Sequence, residues 1–322
     1  MSKYRIKHIT RYTYPSAVID SANQVMLFPL NDAQQEVKKH DIVITHQPLV
    51  EIFTDYFGNQ VGVFSVIRPH AELTIQSTID IVTEEIQLPK DDTDYKTQWE
   101  ILLAAPEQAP FLDFLALGKF NSFSEIMTLA SSMIKESATP FEVSQLLSSY
   151  VYDNFEYKKG ITNVETKVDE IWKIRAGVCQ DFAHVLLVKL RIIGIPARYV
   201  SGYICPKNHE LRGEGATHAW VEAYIPFYGW IGLDPTNNCI VNDRHVRLAI
   251  GRNFSDCTPV KGTYKGSSEH TLEVSVTIAN GSPNKEDDPV TPVFSYQVQN
   301  PGVSDNSYRR FMEIQQQQQQ QQ

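Results

Sequence analysis

The sequence predicts an α+β fold: an N-terminal β-sandwich, then helices, one of them buried on most sides and packed on an antiparallel sheet. Three observations predict it. Residues 4–81 repeat the two-residue period of half-buried strands, the period turns helical beyond an acidic polar stretch, and a nearly all-apolar run from Cys179 to Ile193 precedes two further strand-like segments.

The N-terminal strands are read from alternation. Tyr4, Ile6, His8, Thr10, Tyr12 and Tyr14 alternate with Arg5, Lys7, Ile9, Arg11 and Thr13. Ile42 and Ile44, then Val61, Val63, Ser65 and Ile67, then Leu73, Ile75, Ser77, Ile79 and Ile81 repeat that period, with a turn signal at Phe57-Gly58-Asn59-Gln60. This is a sandwich of short strands over residues 1–90. Pro89 to Asp94 has linker composition and marks the boundary to a second domain, 91–279. There, Ser124 to Lys135 reads as a helix. Thr139-Pro140-Phe141-Glu142 starts another, with a capping box and proline at the first helical position, running to about Tyr157. Asp169 to Trp172 is a short helix feeding the next loop, where the Arg175 cation is expected to pair locally.

The central helix begins at a cysteine. In Gly177-Val178-Cys179-Gln180-Asp181-Phe182-Ala183-His184 a loop turns into an apolar helix that stops at Gly194-Ile195-Pro196. A thiol in a first helical turn meets amides without intrahelical acceptors and the positive end of the helix dipole, which favour thiolate and a developing oxyanion. His184 follows by five positions, so at roughly 100° per residue it points about 140° away. It is expected to be a core histidine that donates to a nearby carbonyl.

A second imidazole lies in Thr217-His218-Ala219-Trp220-Val221-Glu222-Ala223-Tyr224, where His218, Trp220, Glu222 and Tyr224 share one strand face. Pro226-Phe227-Tyr228-Gly229 reads as a tight connection to a strand ending at Asp234-Pro235. Symmetric closure about that turn sets Val221 opposite Asp234, so His218 and Asp234 meet only if the loop is wider or a bulge shifts the register. Adjacency is expected because the Asp-Pro step leaves the carboxylate at the strand end. Thiol, imidazole and carboxylate in this order supply a nucleophile, a base that titrates near neutral pH and a group that fixes the base's tautomer.

The segments GVCQDFAH, THAWVEAY with GWIGLDPTNN behind it, and the intervening GIPARYVSGY resemble the catalytic core of the transglutaminase-like superfamily, in its bacterial branch with an added N-terminal β-domain. The likeness is strongest from about Asp169 to Asp234 and extends more weakly, through DRHVRLAIGRN and HTLEVSVTI, to Ile278. The resemblance implies a papain-like α+β core with Cys179 as nucleophile, His218 as base and Asp234 as its orienting partner. It implies an enzyme that acts on peptide or protein amide bonds through a thioester, as a peptidase or amidase or as an acyltransferase. The alternative is a silent binding module on the same fold. No cofactor or metal is expected: there is no calcium loop, and Cys205, Cys239 and Cys257 lack zinc-site spacing. Trp172 and Tyr157 are candidate oxyanion-side aromatics but read better as core, and Trp220 is a candidate water screen.

Composition fits this reading. With 322 residues, 42% hydrophobic, the chain can build two cores, and a net charge of −9 argues against nucleic acid or anionic membrane as partner. The first residues enter a strand directly and no apolar run is long enough to span a bilayer, so a cytoplasmic location with reduced thiols is expected. The polar stretch Cys205 to Ala216 is a candidate gating loop. Residues 280–322, ending in eight glutamines, read as an extended or disordered tail.

Overall fold

The computed structural model describes residues 1–90, 92–164, 166–205, 212, 217–266 and 270–281. Most of the expected gating loop and the tail with its glutamine run therefore lie outside the described residues. In chain order the elements are β1 (Ser2–Val25), β2 (Gln35–Ile44), β3 (Glu51–Thr54), β4 (Gln60–Val66), β5 (His70–Thr83), α1 (Tyr95–Leu103), α2 (Ala109–Leu115), α3 (Phe123–Ser132), α4 (Pro140–Asn154), β6 (Glu156–Tyr157), α5 (Val168–Ile174), β7 (Ala176–Gly177) and α6 (Cys179–Ile192). Then follow β8 (Ala197–Ile204), β9 (Thr217–Ile225), β10 (Gly229–Asp234), β11 (Cys239–Ile240), β12 (His245–Gly251), β13 (Val260–Lys265) and β14 (Thr271–Asn280).

The N-terminal part is a curled seven-stranded antiparallel sheet rather than a stack of short strands. Its axis is β1, 24 residues long. Residues 4–13 of β1 lie between β5 and β14, whereas residues 22–25 lie between β4 and β13. The register shifts between Thr13 and Val18 and again between Ile19 and Ala22, and such bulges bend a strand sharply. One strand can therefore serve both halves of the sheet. Its inward residues, among them Ile6, Val18 and Val25, join Leu73, Ile75, Ile79, Ile81 and Phe64 in one core. Two of the seven strands, β13 and β14, come from residues 260–280, which the sequence reading assigns to the second domain.

In the second part α6 is the hub. Phe182, Ala183, Val185, Leu186, Leu187 and Leu190 are buried against α4 and α5 on one side and Ala219, Val221 and Ala223 of β9 on the other. The start of α4 is fixed as its sequence predicts: Thr139 Oγ1 accepts Glu142 N–H at 3.2 Å and Glu142 Oε2 accepts Thr139 N–H at 3.0 Å. The sheet behind α6 runs in the order β11-β10-β9-β8-β12.

That order leaves β12 at an edge, and the N-terminal part covers it. Gln35 Oε1 accepts Arg247 N–H at 2.8 Å while Gln35 Nε2 donates to Arg247 O at 2.9 Å. Asn59 repeats the pattern at Ile250, both bonds at 2.8 Å. Two side-chain carboxamides thus stand in for the missing neighbouring strand. An uncovered edge would present unpaired backbone groups, so this contact closes the second sheet as well as joining the two parts. Beside it, Asp32 takes both oxygens to Arg247 Nη2, and Glu222 links Arg247 to Arg198.

Candidate active site

Cys179 is the first residue of α6 and is half-buried. What holds the preceding loop is Asp181: its Oδ2 accepts Val178 N–H at 2.8 Å and Thr162 Oγ1–H at 2.6 Å. A Cβ on Gly177 would collide with that carboxylate, so glycine is required two residues before the cysteine. The carboxylate is buried, and burial raises its pKa against the pull of these two donors. Thr162 thereby ties the segment before α5 to the helix start that presents the thiol.

His218 and Asp234 are brought together by the hairpin, whose loop is one residue wider than symmetric closure about the turn gives. Ile225 pairs Gly229 and Val221 pairs Leu233, so the loop has three residues, Pro226 to Tyr228, instead of two. Phe227 takes the left-handed conformation, φ 67°, that this wider loop demands. The same register carried on sets Asp234 across from Trp220, not Val221. Because side chains alternate, that one-residue difference moves Asp234 onto the face of His218, its diagonal neighbour. His218 Nε2 donates to Asp234 Oδ2 at 2.8 Å, with both side chains fully buried.

The aspartate is held from several sides. Oδ1 accepts Thr236 N–H at 2.9 Å and Asn237 N–H at 3.3 Å, an Asx-type turn through Pro235. Oδ2 accepts Asn237 Nδ2–H at 2.7 Å and His245 Nε2–H at 3.3 Å besides the His218 bond. Burial by itself raises the Asp234 pKa, but the charge and hydrogen bond of His218 and the hydrogen bond of His245 hold it far below the usual carboxylate range. For His218 burial opposes charge; the Asp234 charge and hydrogen bond, then the Cys179 hydrogen bond and charge, overcome it and raise the pKa to about 10. Nε2 is committed to Asp234, whereas Nδ1 is buried and has no hydrogen-bond partner, the ring nitrogen left for the Cys179 sulfur whose influence the ring feels. His218 thus meets the carboxylate through one ring nitrogen and keeps the other unpartnered.

The remaining candidates fall elsewhere. His184 accepts the Phe254 N–H at Nε2, 3.2 Å, where the sequence reading had it donate to a carbonyl; burial lowers its pKa to about 4. Trp220 is fully buried with Val200, Val241 and Ile250 beneath Leu30, Phe57 and Ile86, which removes it from any role as an exposed water screen. Trp172 is core, with the Arg175 guanidinium 3.4 Å from its ring centroid, and Arg175 pairs with Glu125 at 3.5 Å. All four cysteines are free. Sequence reasoning passed over His245 and Asn237. His245 opens the outer strand β12, 11 residues on from Asp234, and carries no spacing signal to it, whereas the Asp-Pro-Thr-Asn run did hold the turn signal that Asn237 completes.

His218, Asp234 and His245 also form the one cluster of potential metal ligands among the described residues. Their hydrogen bonding speaks for protons, not a cation: His245 Nδ1 accepts Asn242 N–H at 3.3 Å, so its Nε2 carries the hydrogen that faces Asp234.

Comparison with known proteins agrees with this architecture. Residues 127–235 match the transglutaminase-like superfamily and residues 4–82 match the bacterial transglutaminase-like N-terminal region. An uncharacterized protein of Mycobacterium leprae is 30% identical over 282 residues, covering 86% of this chain and 99% of its own. A protein-glutamine gamma-glutamyltransferase of Pseudomonas aeruginosa is 36% identical over 101 residues, 29% of this chain and 15% of its own. A crystal structure of a candidate cysteine protease from Cytophaga hutchinsonii shares the fold, with a TM-score of 0.67 at 21% identity over 92% of this chain and 94% of that one. On the match to both regions and the near full-length likeness to its mycobacterial relative, the chain belongs to the transglutaminase-like superfamily, with the bacterial N-terminal region that marks one branch of it.

Proposed function

We propose that this protein is a cysteine enzyme acting on peptide or protein amide bonds through a Cys179 thioester. The observation that carries the reading is the buried His218–Asp234 hydrogen bond with Nδ1 left unpartnered, on a ring that Asp234 and Cys179 together favour in its charged form at neutral pH. An imidazolium beside the sulfur is the counter-ion a thiolate needs.

The thiolate attacks the carbonyl carbon, and the first-turn amides of α6, which have no intrahelical acceptor, are the groups placed to receive the oxyanion. As the C–N bond breaks, the His218 proton passes to the departing amine, leaving a thioester and a neutral ring. Water or an amine then attacks the thioester, gives its proton to His218 and releases Cys179 as thiolate. Asp234 stays ionised throughout and steadies the ring when it is charged. No step in this sequence calls on another group.

The acceptor separates hydrolase from transferase, and hydrolysis is the version we favour. Water is present at about 55 M, so an amine competes only where the site binds it or screens the thioester. Of the sequence's two candidates for such a screen, Trp220 is in the core, and most of the Cys205 to Ala216 stretch lies outside the described residues. The test is mass spectrometry of a glutamine-containing peptide incubated with the enzyme and excess primary amine, with Cys179→Ala as control. Deamidated or cleaved peptide is the expected product. Amine-tagged peptide would move the assignment to acyl transfer, and products equal to those of the Cys179→Ala control on a broad peptide library would refute enzymatic activity.

A further inference from the structure

We propose that His245 is a positioning residue of this site: its ring, locked as the neutral Nε2–H tautomer, holds the Asp234 carboxylate in the orientation that serves His218. The role rests on the reading of Cys179, His218 and Asp234 given above.

Both ring nitrogens of His245 are engaged, and the ring is fully buried. Nδ1 receives the Asn242 N–H at 3.3 Å, inside a turn whose other bond runs from His245 N–H to Asn242 O at 3.0 Å. The tautomer is therefore written by the backbone, and the hydrogen left on Nε2 points to Asp234 Oδ2 at 3.3 Å. Burial lowers the ring's tendency to charge, consistent with a neutral donor. The groups that face it are Asp234 from β10, His218 from β9 and Arg244 from its own turn, with the Trp220 ring packed edge-on at 5.2 Å.

How a residue of the outer strand reaches Asp234 follows from β8, which lies between β12 and β9. Opposite His218 that strand carries Gly202. A Cβ there would collide with Val246 O and the Trp220 ring. The missing side chain lets Trp220 lie across β8, and Trp220 in turn backs His245 against Asp234. The carboxylate torsion of an aspartate is broad and roughly two-fold. Donors on both oxygens convert it to one orientation, and Oδ2 must serve His218 while being restrained by others. Asn237, in the turn after β10, and His245, at the start of β12, supply that restraint.

The role goes beyond packing, and a pair of near-isosteres separates the two. In His245→Gln the amide nitrogen reaches the position of Nε2 and can donate to Asp234; in His245→Asn it stops near Nδ1 and cannot. The readout is the rate of Cys179 alkylation by iodoacetamide against pH, which needs no natural substrate. Without its restraint Asp234 serves His218 less well, so the sulfur should behave more like an ordinary thiol. We expect His245→Asn to label about tenfold more slowly at pH 7 and His245→Gln to stay within about threefold of wild type across the pH range. Equal behaviour of the two variants, whether both normal or both impaired, overturns the proposal.

Should neither variant fold, the wild-type protein decides: histidine ring 15N shifts at pH 7 must show His245 neutral and protonated at Nε2, and a cationic or Nδ1–H ring ends the proposal. If wild-type Cys179 is not labelled ahead of Cys205, Cys239 and Cys257, the enzymatic reading fails instead. The same 15N shifts then judge the Asp234 contact independently.

Discussion

At the scale of single residues, the proposed chemistry assigns unequal expected losses to three side chains. Cys179→Ala should abolish turnover and leave the fold intact, since a first helical turn accepts alanine. His218→Ala should cost nearly as much, because members of one catalytic unit are not additive, whereas Asp234→Asn should leave a larger residual rate. Steady-state rates on a validated substrate, with circular dichroism as the folding control, check all three. His218→Ala also leaves the Asp234 charge buried without its counter-ion, a loss of about 3–5 kcal/mol. The sign of its pH dependence follows from the raised pKa of the ring, 6.5 unfolded against about 10 folded. The protonated ring's contribution is fully present below about 6.5 and is lost as pH rises through about 10. The melting-temperature gap between wild type and His218→Ala should therefore be widest near pH 6 and narrow steadily toward pH 10; a gap that widens would contradict the charged ring.

At the scale of elements, α6 carries a cost that the sequence does not explain. Lys189 is fully buried on it, with Nζ 3.4 Å from Leu147 O and 3.7 Å from the centroid of the Tyr150 ring. Burial, helped by the nearby Arg175 cation, lowers its pKa to about 6. The unfolded amine holds its proton to about pH 10.5, so the folded state is penalised below that value, most of all below pH 6. Lys189→Met keeps the stem's volume and removes the penalty. It should raise the melting temperature by several degrees near pH 7, with the gain shrinking as pH approaches 10. Differential scanning calorimetry at pH 6, 8 and 10 tests this, and a destabilised variant at pH 6 would show that the amine's contact with Tyr150 outweighs its burial. The β9–β10 hairpin makes the complementary point about precision. One residue in the length of its loop decides which face Asp234 occupies, hence whether a carboxylate meets His218 at all.

At the scale of the whole molecule, the two parts are interleaved. β13 and β14 return from the end of the C-terminal part to pair with β1, and the Gln35 and Asn59 amides close the β12 edge. Asp243, two residues before His245, accepts Ser2 Oγ–H at its side chain and Thr83 Oγ1–H at its carbonyl. A fragment of residues 91–281 should consequently fail to fold, since β13 and β14 lose their partner and β12 becomes a bare edge. A cooperative melt and dispersed amide resonances from that fragment would show that the N-terminal sheet is dispensable. In the full chain, Asn59→Ala strands two backbone groups of Ile250 and should cost about 2 kcal/mol, measured as a drop in the denaturation midpoint.

What the sequence by itself determined is whatever depends on local periodicity and short-range chemistry. The helix that starts at Cys179, the capping box at Thr139, the strand that carries His218 and the stop at Asp234-Pro235 are each set by residues within a few positions of one another, so they are legible along the chain. The resemblance carried by three short motifs supplied their order and the family. Tertiary structure alone decided what depends on register and on contacts between distant segments. The hairpin register turned on a left-handed Phe227 that alternation does not announce. The return of β13 and β14 to β1 joins residues far apart in the chain, and the arrival of His245 at Asp234 depends on the strand order that sets β12 beyond the Gly202 position of β8. Such pairings are settled by which buried polar groups find partners once the sheets close, and no local pattern encodes that outcome.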